Sequence, residues 1–184
     1  DEVVLKELAL PVNQESDLKD WKNFLKKYKN PKKKVEIALV GKYVSLQDSY
    51  KSIAEAFIHA GASQDTEVKL RWVYSGDLTE ENLAENFKGI DGMLIAPGFG
   101  DRGIEGKILA AKFARENKIP LLGICLGMQI MTIEFARNVL GLKDANSAEF
   151  DLTTKNPVIS LMEEQKNVVD KGGTMRLGAW KCQL

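Results

Sequence analysis

Pro120-Leu-Leu-Gly-Ile-Cys-Leu-Gly-Met-Gln129 joins two kinds of hydrophobic pattern. The apolar run Ile119 to Ile124 reads as a buried strand, and the residues after Cys125 read as a helix to about Leu140. Between them, Gly123-Ile-Cys125-Leu-Gly127 is Gly-x-Cys-x-Gly, the cysteine form of the nucleophile elbow. A nucleophile on a sharp strand-to-helix turn has a tight backbone, which neighbours larger than glycine would crowd. Such a turn lifts the sulfur out of the sheet and sets it at a helix N-terminus, where the helix dipole favours a thiolate. The competing reading is a core cysteine, since cysteine is among the most buried residue types. The following helix carries Met128, Ile130, Met131, Ile133, Phe135, Ala136, Val139 and Leu140, apolar nearly all round, which predicts an element buried at the molecular centre.

Upstream of the turn, strand and helix patterns alternate. Val35-Glu-Ile-Ala-Leu-Val40 reads as a strand ending at Gly41. Ser49 then opens a helix with Tyr50, Ile53, Ala54, Phe57 and Ile58 on one face and Gly61 as its stop. Val68 to Tyr74 is a second strand, and a short helix from about Thr79 to Phe87 follows, capped by Thr79 or Asp77. Gly92 to Ala96 is a third strand, and Ile104 to Glu116 a third helix with Ile108, Ala111 and Phe113 as core contacts. Strands separated by helices in this way predict an α/β fold, a parallel or mixed central sheet with helices on both faces. After Gly141 the alternation stops, and residues 143–170 read as loops with one strand at Val158 to Leu161.

The third strand runs into Ala96-Pro-Gly98-Phe-Gly100-Asp-Arg-Gly103, which formally matches a dinucleotide fingerprint. That fingerprint belongs to the first strand of its unit and needs an acid at the end of the next, where this sequence has the cysteine turn. Strand C-termini carry the ligands in parallel α/β sheets, so neighbouring third and fourth strands would place Gly98 and Cys125 in one crevice. Acyl transfer needs two backbone N–H groups aimed at the developing oxyanion. Leu126 would supply one and the Gly98 loop the other, although the loop also reads as an ordinary tight turn. A thiol nucleophile normally has a base beside it, most often histidine. The single histidine, His59, falls at the back end of the first helix of the alternation, the wrong edge of the sheet, and reads as a structural or surface residue.

Composition narrows the function classes. Lys+Arg 26 balances Asp+Glu 26, so no overall charge favours nucleic acid or an anionic membrane. No apolar run approaches roughly 18–20 residues, and neither a signal peptide nor a membrane span is expected from this stretch. Cys125 and Cys182 make no disulfide framework, and one sits in a catalytic-looking turn, so a cytoplasmic setting is expected. Two distant cysteines and one histidine offer no zinc ligand set, and no metal site is expected. Residues 1–31 differ in pattern: Ser16 or Asp17 would cap a helix whose Trp21, Phe24, Leu25 and Tyr28 form a stripe that must bury against something. The lysines from Lys22 to Lys34 read as the solvated face of that helix and its exit, which Asn30-Pro31 ends.

Gly123-Ile-Cys-Leu-Gly-Met-Gln129 together with Pro97-Gly-Phe-Gly100 resembles the class I (triad) glutamine amidotransferases. Val40-Gly-Lys-Tyr43, Asp48-Ser-Tyr-Lys-Ser52, Gly98 to Gly103, Asn146-Ser-Ala-Glu-Phe150 and Gly172 to Gly178 are similar to strings of the glutaminase domain in the CTP synthase family. The resemblance runs from about Val35 to the last residue, and residues 1–31 resemble the end of the amidoligase domain and the interdomain linker helix. It implies a flavodoxin-like core, with residues 35–184 an incomplete glutaminase domain. In that family a glutaminase hydrolyses L-glutamine at a cysteine and passes ammonia to the amidoligase domain. That domain uses ATP and Mg²⁺ to aminate UTP to CTP, with GTP as activator, in a homotetramer.

Carried over by motif, Cys125 is the nucleophile and Gly98 and Leu126 are the oxyanion donors. Gly98, Phe99, Leu126, Gly127, Met128, Gln129 and Glu149 bind glutamine, and Arg102, Thr174 and Arg176 link the lid loop to GTP. Cys182 reads as structural. The family's His-x-Glu base pair is expected beyond Leu184, so the chain is expected to be a fragment, inactive by itself, that binds no cofactor of its own. Two other readings stand beside this one: a cysteine hydrolase of the DJ-1 type, whose histidine follows close after the nucleophile where this chain has Leu126 and Gly127, and a non-catalytic nucleotide-sensing module.

Overall fold

The computed structural model describes residues 2–12 and 17–161. Thr174, Arg176 and Cys182 lie outside the described residues. The elements in chain order are α1 (Glu2–Glu7), α2 (Lys19–Lys29), β1 (Lys33–Gly41), α3 (Lys51–Ser63), β2 (Thr66–Tyr74), α4 (Leu83–Asn86), β3 (Gly92–Ile95), α5 (Ile104–Glu116), β4 (Leu121–Gly123), α6 (Leu126–Asn138), β5 (Asn146–Ser147) and β6 (Pro157–Ile159). The main sheet has the order β2-β1-β3-β4, and every pair in it is parallel. It is the expected parallel α/β sheet, and β3 and β4 are neighbours as the shared-crevice argument requires.

Alternation along β1 explains the layers. Ala38 and Val40 turn to one face and pack with Val73, Met93, Phe87 and the Ala110 and Ala114 side of α5. Leu39 turns to the other face with Leu94 and Tyr50, against Ile53 and Phe57 of α3. A third cluster joins Ile95 to Ile104, Ile108 and Ala111 of α5 and to Leu126, Ile130 and Ile133 of α6. The sheet is therefore covered on both faces, with α5 and α6 together on one of them.

Several local expectations need correction. Gly61 does not stop α3. The helix continues to Ser63, and Gly61 is buried where a Cβ would stand 2.5 Å from Thr66 O, so the glycine serves close packing and not a turn. The helix read from Thr79 to Phe87 shrinks to Leu83–Asn86. Asn82 Oδ1 accepts from the Thr79 N–H ahead of it, a side-chain bond that competes with helix there. The strand entering the cysteine turn is not buried and α6 is not central. Among the described residues β4 is the sheet edge, so Leu122, Met128, Phe135 and Leu140 are each about half exposed or more. These residues line an apolar groove of about 530 Å³. The loop region after Gly141 holds a two-stranded parallel pair, β5 with β6, where one strand was read.

The N-terminal stripe buries only in part. Phe24 stacks between Trp21 and Tyr28 and meets His59 of α3 edge-on at 5.1 Å, while Trp21 and Tyr28 stay about half exposed. Asp17 Oδ1 accepts the Lys19 N–H and so helps to start α2.

Candidate active site

Three strands deliver their C-termini to one corner. β1 ends at Gly41 and is followed by Lys42; β3 ends at Ile95 and runs into the loop 96–103; β4 ends at Gly123 and runs through Cys125 into α6. Sheet order places β3 between the other two, with the order reversing at β1 and β3, where ligands bind in such sheets.

Cys125 is exposed and has φ 55 and ψ −108, a conformation that costs a non-glycine residue of order 1–3 kcal/mol. The core-cysteine reading is excluded by that exposure. The elbow works as the spacing predicts: a Cβ on Gly123 would collide with the backbone of Gly127, and one on Gly127 with the Ile95 carbonyl. Ile124 N–H donates to Ile95 O at 3.1 Å and ties the turn to β3. Cys125 is the N-cap of α6, and its carbonyl accepts from Met128 and Gln129 at 3.1 and 3.3 Å. Leu126 opens the helix, so its own N–H is one of the first-turn donors with no intrahelical acceptor.

Gly98 lies against this turn. A Cβ built on it would stand 3.7 Å from Leu126 Cδ2, 3.9 Å from Lys42 Cδ and 4.0 Å from Lys107 Nζ. Two lysines that the sequence reading passed over hold the loop. Lys42, 5% exposed, donates from Nζ to Phe99 O at 2.6 Å and Gly100 O at 2.5 Å. Lys107, fully buried, donates to Ala96 O at 2.8 Å. Burial lowers the pKa of Lys42, as does the Arg102 charge, against the opposing pull of Asp101 and Glu149. Burial likewise lowers Lys107, to about 8, helped by Lys42 and opposed by Cys125. Both lysines had a signal. Lys42 sits at the C-terminus of a strand, and Lys107 falls three after Ile104 and four before Ala111, inside the buried stripe of α5.

The remaining site residues are placed as follows. Phe99 is 82% exposed at the loop tip. Leu126 and Gly127 are buried, and Met128 is half exposed on the outer side of the turn. Gln129 is half-buried, and its Oε1 is a buried acceptor with no partner among the described residues. Glu149 is exposed, its N–H bonded to Ser147 Oγ at 3.1 Å, and its carboxylate is close enough to act on Lys42. Arg102 lies over the Tyr43 ring at 5.9 Å. His59 is exposed on α3, near the end of that helix that leads into the start of β2, away from the strand C-termini. Among the described residues no group of His, Cys, Asp and Glu side chains is arranged to hold a metal ion, and no helix is long and apolar enough to cross a membrane.

Comparison with known proteins adds to this geometry. The family model of glutamine amidotransferase class-I matches residues 45–184. All 184 residues align at 61% identity with the CTP synthase of Flavobacterium psychrophilum and at 62% with that of Cytophaga hutchinsonii. The chain spans 34% of the length of each of these curated relatives. The solved glutaminase domain of Trypanosoma brucei CTPS with bound acivicin is similar at a TM-score of 0.67 and 40% identity, over 72% of this chain and 52% of that one.

Proposed function

The chain belongs to the class I glutamine amidotransferases, and from that premise we propose that it is the glutaminase part of a CTP synthase, with Cys125 as its nucleophile. The observation that carries the proposal is an exposed cysteine in a strained turn at a helix N-terminus, beside a glycine loop whose carbonyls are held by two lysines. The similarity of the whole chain to CTP synthases supports the choice of that enzyme within the family.

In the proposed reaction Cys125 Sγ attacks the side-chain amide carbon of L-glutamine, forming a carbon–sulfur bond. The Leu126 N–H and the Gly98 loop receive the negative charge that develops on the amide oxygen. The tetrahedral intermediate collapses, the carbon–nitrogen bond breaks and protonated nitrogen leaves as ammonia, giving a glutamyl thioester. Water then hydrolyses the thioester to glutamate and restores the thiol. Gln129 and Glu149 would engage the α-substituents of the substrate, the carboxylate facing the α-ammonium. The steps need a proton acceptor and donor. His59 is on the far edge of the sheet, so the proposal assigns that role to the His-x-Glu pair that the resemblance implies and that this sequence does not contain.

Residues 1–31 are proposed as the connection to an amidoligase domain and residues 35–184 as glutaminase. Ammonia would pass to the amidoligase domain, where ATP and Mg²⁺ support amination of UTP to CTP. GTP as activator, with Arg102, Thr174 and Arg176 as its contacts, the homotetramer and the cytoplasmic location are part of the same proposal. The test uses the full-length gene product, with and without Cys125→Ala, assayed for CTP formation with glutamine or with ammonia. Loss of the glutamine-driven reaction alone is the expected result. Survival of both reactions overturns the nucleophile assignment, and absence of CTP formation in the wild type overturns the choice of enzyme. Glutamate release by the 184-residue chain is expected to be negligible, while Cys125 remains open to alkylation.

A further inference from the structure

Lys107 is a fully buried lysine whose ammonium has one acceptor, Ala96 O at 2.8 Å, for its three N–H groups. Among the described residues no carboxylate pairs with it. An unpaired buried cation is costly, and an apolar side chain of similar length would fill the same space at less expense. The ammonium also stands 4.0 Å from the Cβ position of Gly98, on the loop that faces Cys125. The charge of Cys125 reaches it, since that charge raises the lysine's pKa against burial.

We infer that Lys107 is a positioning residue for the chemistry at Cys125, its ammonium fixing the Ala96–Gly98 turn from within and setting a positive charge behind the corner where an anion forms. The inference rests on the nucleophile assignment proposed above. Lys42 holds the outer half of the same loop through Phe99 O and Gly100 O, so the two lysines divide the work. Lys42 reaches the loop tip from β1, whereas Lys107 reaches its root from α5.

A charge has a readout that a purely steric support lacks. Iodoacetate and iodoacetamide both alkylate the thiolate, displacing iodide as the sulfur–carbon bond forms, but only iodoacetate is an anion. The ratio of their rates at Cys125, followed by mass spectrometry of the peptide that contains it, cancels the thiolate fraction and leaves the local field. In the intact protein at pH 7, Lys107→Met is expected to lower that ratio by about three- to tenfold, the effect of one partly screened unit charge at several ångströms. Raising the pH from 7 to 9.5 is expected to lower the wild-type ratio towards that of the variant, because Lys107 loses its proton near pH 8, with a flatter course in the variant. The other charged groups facing this corner are Lys42, Arg102, Asp101 and Glu149, and the variant retains all four.

An equal ratio in variant and wild type, with Cys125 still reactive, overturns the inference. Should Lys107→Met fail to melt cooperatively, the wild type carries the test alone, and a ratio unchanged between pH 7 and 9.5 overturns it. The CTP assay with Cys125→Ala fails or succeeds independently of this ratio, so an incorrect enzyme reading and an idle Lys107 give different results.

Discussion

Cys125 stands at φ 55 and ψ −108 because its two flanking glycines let the chain fold back on itself. At Gly123 the neighbour is the Gly127 backbone, and at Gly127 it is the Ile95 carbonyl, so neither position has a flexible side chain that could yield. Gly123→Ala and Gly127→Ala are each expected to lower stability by about 2 kcal/mol or more, read as a shift in the denaturant midpoint. Alkylation of Cys125 is expected to change in the same variants. A midpoint unchanged within error would mean that the turn relaxes easily and stores no strain. Gly98 is a different kind of glycine. Its φ is outside the left-handed region and the space around it is ordinary, so its role lies in the loop's approach to Leu126.

At the scale of the elements, two side-chain clamps hold neighbouring segments together. Arg115 of α5 makes paired bonds from Nε and Nη2 to Glu134 of α6, at 2.8 to 3.1 Å, and Glu134 is only 3% exposed. Asn138 adds a bond to the same carboxylate at 3.2 Å. Glu134→Ala would leave Arg115, one-third exposed, with only its longer contact to Glu116 at 3.4 Å, and is expected to cost about 1–3 kcal/mol once solvent screening is allowed for. A double-mutant cycle with Arg115→Ala measures the coupling, and a value near zero would reduce the pair to surface decoration. The second clamp is Tyr50, whose hydroxyl accepts the Lys42 and Tyr43 N–H groups at 3.1 and 3.3 Å and fixes the exit of β1. Tyr50→Phe strands those two donors and is expected to cost about 1–2 kcal/mol by thermal melting.

For the molecule as a whole, the buried lysines make stability depend on pH in an unusual direction. Lys107 has a folded pKa of about 8, against about 10.4 when unfolded. Between those values the unfolded chain holds the proton and the folded chain has lost it, so the unfolding free energy rises with pH. The burden of the buried ammonium is complete below about pH 8 and fades by about pH 10.4. Lys42, lowered by burial as well, acts in the same direction. Urea midpoints are therefore expected to rise between pH 7.5 and 9.5, less steeply in Lys107→Met. That variant is expected to be more stable than wild type at pH 7 by about 1–3 kcal/mol. A wild type and variant with parallel pH profiles would show that the site carries no such charge.

Hydrophobic period and turn residues were enough for the sequence to determine the alternating strands and helices, the bounds of α5, and the elbow at Cys125. These are local features: a run of Val and Ile, a glycine on either side of a cysteine, a stripe repeating every three or four residues. The family motifs added Gln129 and Glu149, which no local pattern marks. Tertiary structure alone decided that β4 is an edge of the described sheet, which leaves one side of the apolar α6 in the open. It also decided that Gly61 lets α3 pack closely on the start of β2, and that Lys42 and Lys107 converge on one loop from the end of β1 and from α5. The reason is physical. A lysine in a sequence is most often a solvated charge, and only the packing of two distant segments reveals that it has been taken out of water.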